Sequence, residues 1–138
     1  MYLLDTNVLS ELRKRRPHGG VLAWLNSIDN RDISVSAVSF GEVQAGIELT
    51  RTQDPAKAAE IESWADQIVS AWNVLPMDSE TFRVWAKLMH RRTDDLTYDA
   101  MIAATALVHR RIIVTRNIKD FQLFGVEMLD PYVATDRP

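Results

Sequence analysis

MYLLDTNVLSEL, residues 1–12, changes character at its fifth position. Tyr2 to Asp5 is a short apolar run closed by a carboxylate, and it reads as a β-strand. From Thr6 the apolar positions take helical spacing, with Val8, Leu9 and Leu12 on one side of a helix predicted to run to Arg16. An apolar strand without alternation that passes directly into a helix is the repeating unit of a parallel sheet buried on both faces. The passage recurs downstream. ISVS (33–36) leads into a helix over Ala37–Thr50. NVLPM (73–77), stopped at Pro76, leads into a helix capped by Ser79, and IIVT (112–115) leads into RNIKDF, a turn or a single helical turn. VEML (126–129) reads as a last strand. Further helices are predicted over Val21–Ile28, from Asp54–Pro55 onward and from Thr97 to about His109. The expected fold is an α/β three-layer sandwich, a mostly parallel central sheet with helices on both faces.

Composition sets the bounds. At 138 residues the chain fits one domain, taken as 1–133 with a loose polar tail at 134–138. The absence of cysteine excludes thiol nucleophiles, disulfides and Cys-based zinc sites. No apolar run reaches membrane-spanning length, and no basic segment followed by an apolar stretch opens the chain. A cytoplasmic protein with no membrane association is the expectation.

In a parallel sheet, ligands bind beyond the carboxyl ends of the strands. Asp5 follows the first strand, Asn117 and Asp120 follow IIVT, and Glu42 lies on the helix after ISVS. Each has an ordinary explanation. Asp5, Thr6 or Asn7 can cap a helix, and Asp120 and Asn117 suit a turn. Glu42 sits within an arc of Val38, Ala45, Gly46 and Leu49 at about 100° per residue. Gly41 and Gly46 on its helix suggest close approach of another backbone. Asp99 opens TYDAMIAATALV, a helix that is otherwise small and apolar, where it can compensate the helix dipole. Their conjunction is less ordinary, because carboxylates gathered at one sheet end repel one another. Hard divalent cations relieve that repulsion. An oxygen-only donor set selects Mg²⁺ or Mn²⁺, and the lack of histidine argues against zinc.

With these residues assembled, LLDTNVLSEL, SVSAVSFGEVQAGI, YDAMIAATAL and VTRNIKDF, in this order, resemble the PIN-domain ribonucleases. Closer still is the similarity to the VapC/FitB-like toxins of bacterial toxin–antitoxin pairs. The resemblance implies a PIN-like sandwich and a metal-dependent endoribonuclease with Asp5, Glu42 and Asp99 as acidic ligands. Some relatives carry Asp at the position of Asn117. Here Asp120 is the nearest carboxylate, so either residue can fill the fourth place, and Asp120 is assigned with Asn117 as neutral helper. Thr6, Asn7 and Thr115 match positions that hold the ligands or a water in place. The resemblance also implies a homodimer and a cognate antitoxin that masks the site.

Two divalent ions would turn the formal net charge of −3 slightly positive, so nominal acidity does not oppose an RNA substrate. Arg13, Lys14, Arg15 and Arg16 form the basic end of the predicted first helix. With Arg116 and Lys119 they are candidates for phosphate contact. A haloacid-dehalogenase-type phosphatase would need Asp where Asn7 stands, and two further rivals remain beside the ribonuclease. One is a receiver-like domain with a Mg²⁺ pocket, but no acceptor carboxylate is evident after its third strand. The other is a non-catalytic interaction domain whose carboxylates are all caps and ion pairs.

Overall fold

The computed structural model describes residues 1–133. The tail expected to be loose, 134–138, lies outside the described residues. Five strands, β1 (Tyr2–Leu4), β2 (Ile33–Ser36), β3 (Asn73–Leu75), β4 (Ile112–Val114) and β5 (Met128–Leu129), form one sheet in the order β3-β2-β1-β4-β5. Every pairing is parallel, with Leu4 in register with Val35 and Val114. The expected mostly parallel sheet is therefore parallel throughout.

Side chains alternate across the sheet and feed two cores. Leu3 and Ile113 point to one face, where they pack with α6 (Thr97–His109), with Trp85 of α5 (Ser79–Met89) and with Phe121 of α7 (Ile118–Gln122). Leu4, Ile33, Val35 and Val114 point to the other. There they meet α1 (Thr6–Glu11), Val21 and Trp24 of α2 (Gly19–Asn26), and partly buried residues of α3 (Ala37–Arg51) and α4 (Pro55–Ala71). The predicted α4 stripe packs inward: Ala58 and Ala65 are buried, and Ile61, Ile68 and Trp72 are partly so. Helix α6 uses its small residues to lie close on the sheet, with Ala100, Ala103, Ala104 and Ala106 all buried.

Several boundaries differ from expectation for local reasons. Helix α1 ends at Glu11, and Arg13 to Arg16 lie beyond it rather than on its last turn. Glu11 accepts the backbone N–H of His18 at 3.0 Å and Lys14 Nζ at 3.0 Å, which folds the chain back. Helix α2, predicted to start at Val21, begins two residues earlier, with Gly19 and Gly20 in its first turn, because His18 Nδ1 accepts the Gly20 amide at 2.9 Å. Asp78, not Ser79, caps α5, accepting the Thr81 amide and hydroxyl at 2.9 and 2.7 Å. RNIKDF, expected as a turn or a single helical turn, takes the second form as the short helix α7.

Candidate metal centre

The parallel register places the carboxyl ends of β1, β2 and β4 side by side, and four elements deliver a carboxylate there. Asp5 follows β1 and is 3 % exposed. It occupies the N-cap position of α1, yet its side chain makes no capping hydrogen bond. Instead Oδ2 accepts the Thr115 hydroxyl at 2.9 Å, across the β1–β4 boundary. Burial raises the Asp5 carboxyl above its ordinary range, and the Thr115 hydrogen bond only partly offsets that rise.

Glu42, half-buried on α3, accepts the Thr6 hydroxyl at 2.7 Å, and Thr6 also lies 2.8 Å from the buried Ser39 hydroxyl. Asp120 opens the first turn of α7 and accepts Asn117 Nδ2 at 2.9 Å; the Asn117 amide in turn donates to Thr115 Oγ1 at 2.9 Å. Thr6, Thr115 and Asn117 thus hold three carboxylates in place. Asn7 is exposed and makes no side-chain hydrogen bond among the described residues.

Asp99, in the first turn of α6, differs from the others. Among the described residues its carboxylate has neither a hydrogen-bond donor nor a basic partner. Its pKa is pushed up to about 6, first by burial and then by repulsion from Asp5, Asp120 and Glu42. Three carboxylates from distant segments of the chain thus lie near enough to Asp99 to repel it. Among the described residues the ion pairs lie elsewhere, at Glu11, Asp29, Glu48 and Glu62. The four carboxylates are not each neutralised by an arginine or lysine.

The donor set fits a hard divalent cation: it is all oxygen, anionic, and held from behind by hydroxyls and an amide. As the side chains stand, no three His, Cys, Asp or Glu among the described residues are grouped closely enough to hold one ion. Closing on a cation therefore requires the carboxylates to draw together. Asp99, the one held by no donor, is freest to do so.

Two expectations about Glu42 need correction. The arc around it faces solvent rather than core: Ala45, Gly46 and Leu49 are exposed, Leu49 at 74 %, while Ile47 points inward. A Cβ built at Gly41 or Gly46 would meet nothing within 4 Å, so neither glycine marks a close backbone approach. Ser36 caps α3, accepting the Val38 amide at 3.1 Å. Ser39 supports Thr6.

Basic residues lie beside the carboxylates. Arg13, Lys14 and Arg15, with Lys57 and Trp64, line an open cavity of about 830 Å³. Arg13 also borders a smaller one, about 220 Å³, that reaches Thr6 and Glu42. Arg16, Arg116 and Lys119 are exposed. The residue that sequence reasoning missed is Tyr132, which packs under Arg116; nothing in its local sequence marks it.

Thr115→Val keeps the side chain's shape but removes the donor to Asp5 and the acceptor for Asn117. A buried charged hydrogen bond is worth about 1.5–3 kcal/mol, and a loss of that order is expected in urea titrations of the metal-free protein. A loss below about 0.5 kcal/mol would show that Asp5 is not anchored there.

A PIN-domain family model matches residues 2–125. The chain is 30 % identical to VapC ribonuclease Y4jK of Sinorhizobium fredii over 96 % of its own length and 98 % of that protein. It is also 30 % identical to toxin FitB of Neisseria gonorrhoeae, over 96 % of this chain and 99 % of FitB. The crystal structure of FitAcB from the same organism superposes with a TM-score of 0.83 at 29 % identity, covering 96 % of this chain and 99 % of that one. This α/β sandwich with an acidic cluster at the carboxyl edge of its sheet belongs to the PIN-domain family.

Proposed function

We propose that this protein is a divalent-metal-dependent endoribonuclease, the toxin of a toxin–antitoxin pair. The observation that carries the reading is the convergence of Asp5, Glu42, Asp99 and Asp120, with the Asp99 carboxyl pushed up to about 6 by burial and its neighbours. Such a group gains from a cation more than from any fold-internal contact. The names of the relatives, VapC ribonuclease and toxin FitB, support the same reading.

Asp5, Glu42, Asp99 and Asp120 would hold Mg²⁺ or Mn²⁺. A bound ion supplies Lewis-acid polarisation of a phosphodiester and eases water deprotonation. Asp5 and Asp99 are the carboxylates assigned closest to the ion, while Glu42 and Asp120 complete the site or orient water. Thr6, Thr115 and Asn117 fix the oxygens that must not rotate away. Arg13, Arg15, Arg16 and Lys119 contact RNA phosphates, which makes binding fall with salt, and Arg116 contacts the RNA beside them.

An antitoxin partner and a homodimer belong to the same proposal. Solved structures similar to this chain include FitAcB and a toxin–antitoxin complex from Klebsiella pneumoniae. The exposed apolar side chains Leu49, Val69, Phe82 and Tyr98 provide surface for both kinds of contact. Among the described residues no helix is long and apolar enough to cross a membrane.

The test is incubation of the chain, freed of any partner, with single-stranded and structured RNA. Cleavage is expected with Mg²⁺ or Mn²⁺ and lost in EDTA. Intact RNA in every metal condition would favour the interaction-domain alternative.

A further inference from the structure

We infer that Arg116 and Tyr132 form a stacking platform for a base next to the scissile phosphate, an assignment that rests on the RNA-hydrolase reading. The Arg116 guanidinium lies over the Tyr132 ring, 3.9 Å from its centroid, close enough for two planar groups to stack. Tyr132 is buried beneath it, while Arg116 is exposed and presents its outer face to solvent. The ring is clamped from its other sides. Its hydroxyl donates to Glu11 at 3.3 Å, and the His18 ring packs at 4.8 Å between centroids. Lys14 Nζ, 3.0 Å from Glu11, matches the charge of that carboxylate. The guanidinium therefore rests on a surface fixed in advance, which cuts the ordering cost of binding.

The platform faces a cavity of about 460 Å³ lined by Asn7, Arg13, Lys14, Arg116, Asn117 and Tyr132, with Ser10 and Glu11 beside them. That volume falls within the ~300–1,000 Å³ typical of small-ligand sites. The cavity adjoins the acidic cluster through the chain itself. Arg116 follows Thr115, which donates to Asp5, and Asn117 donates to Asp120. Arg13 and Lys14 provide positive charge for the phosphates, and the two asparagines provide amides for a base edge. Single-stranded RNA is commonly read by stacking bases on aromatic rings or arginine planes. A cation pinned on a ring beside a phosphate-cleaving centre supplies such a plane.

The experiment measures binding by fluorescence anisotropy in EDTA, so that it does not depend on hydrolysis. The probe is a short labelled single-stranded oligoribonucleotide, compared with copies made abasic at one position at a time. Arg116→Ala is expected to weaken binding of intact RNA about fivefold or more. Arg116→Lys, which keeps charge but not the plane, should restore little of it. At one abasic position the wild-type advantage should shrink to within about twofold. Equal losses for intact and every abasic RNA, full rescue by lysine, or no loss at all would overturn the platform. If wild-type protein binds and cleaves RNA while Arg116→Ala behaves identically, the platform alone falls. If wild-type protein neither binds nor cleaves RNA, the ribonuclease reading fails and the platform with it.

Discussion

Asp99→Asn is expected to stabilise the metal-free protein while removing the proposed divalent-dependent RNA hydrolysis. Both halves follow from one fact: the Asp99 carboxylate is half-buried, unbonded and repelled by three others. In the fold it takes up its proton at about 6, against an ordinary 3.8. Between those values the folded protein holds more protons than the unfolded chain, so stability falls as pH rises through the window. Above it the charged carboxylate exacts its full cost. The shift would correspond to about 3 kcal/mol, and solvent screening of a half-exposed group reduces that to about 1–2 kcal/mol. Asparagine keeps the shape without the charge, so at about pH 7.5 a gain of that order is expected.

Wild-type protein in EDTA should therefore become more stable from about pH 7.5 to 5, and the variant much less so. Carboxyls that the fold holds low, at Glu11, Asp29, Glu48 and Asp78, lose their contribution only at more acidic pH, and Asp5, which burial also raises, adds the same rise to both proteins, so the difference between them isolates Asp99. Added Mn²⁺ should raise the wild-type melting temperature and scarcely move that of the variant. Cleavage should drop about a hundredfold or more, since even groups that merely support metal ligands cost ~10–100-fold. A variant less stable than wild type at pH 7.5 would mean that Asp99 serves the fold through a contact, and the repulsion argument would fail.

How far the sequence was legible depends on what kind of constraint each residue obeys. The strands were readable because an apolar run buried on both faces leaves no alternation, and Leu3, Leu4, Ile113 and Val114 are all fully buried. Asp5 and Asp99 stood out because each interrupts such a run, and burial of a carboxylate is costly enough to need a reason. Asp120 was weaker, since an acid after a strand is ordinary turn chemistry. Glu42 was found for a partly mistaken reason. Periodicity gives the width of an arc but not its direction, and alanine and glycine carry little preference for core or solvent. The early end of α1 was illegible because its cause lies outside the helix, in the His18 amide that Glu11 captures. Tyr132 was beyond reach, since its hydroxyl meets Glu11 from 121 positions away in the chain.

Phe121→Ala is expected to show how the core holds the acidic edge in place. Helix α7 spans only Ile118–Gln122, far below the length at which a helix is stable alone. Asp120 nevertheless has a defined position, and the neighbouring side chain explains it. Phe121 is fully buried in the same cluster as Leu3, Ile113 and the α6 alanines. It anchors α7 to the sheet and so fixes the direction of Asp120. Truncating a buried phenylalanine costs about 3–5 kcal/mol, a large share of the ~5–15 kcal/mol of a typical domain. Phe121→Leu retains most of the volume and should cost less than about 1.5 kcal/mol. Urea titrations give both numbers. At a temperature where both variants remain folded, the alanine form should lose more RNA cleavage than the leucine form, because Asp120 is then carried by a helix without its anchor. Equal activity in the two would show that α7 keeps its place through Asn117 and Thr115 instead, and that the core beneath it sets stability without aiming the carboxylate.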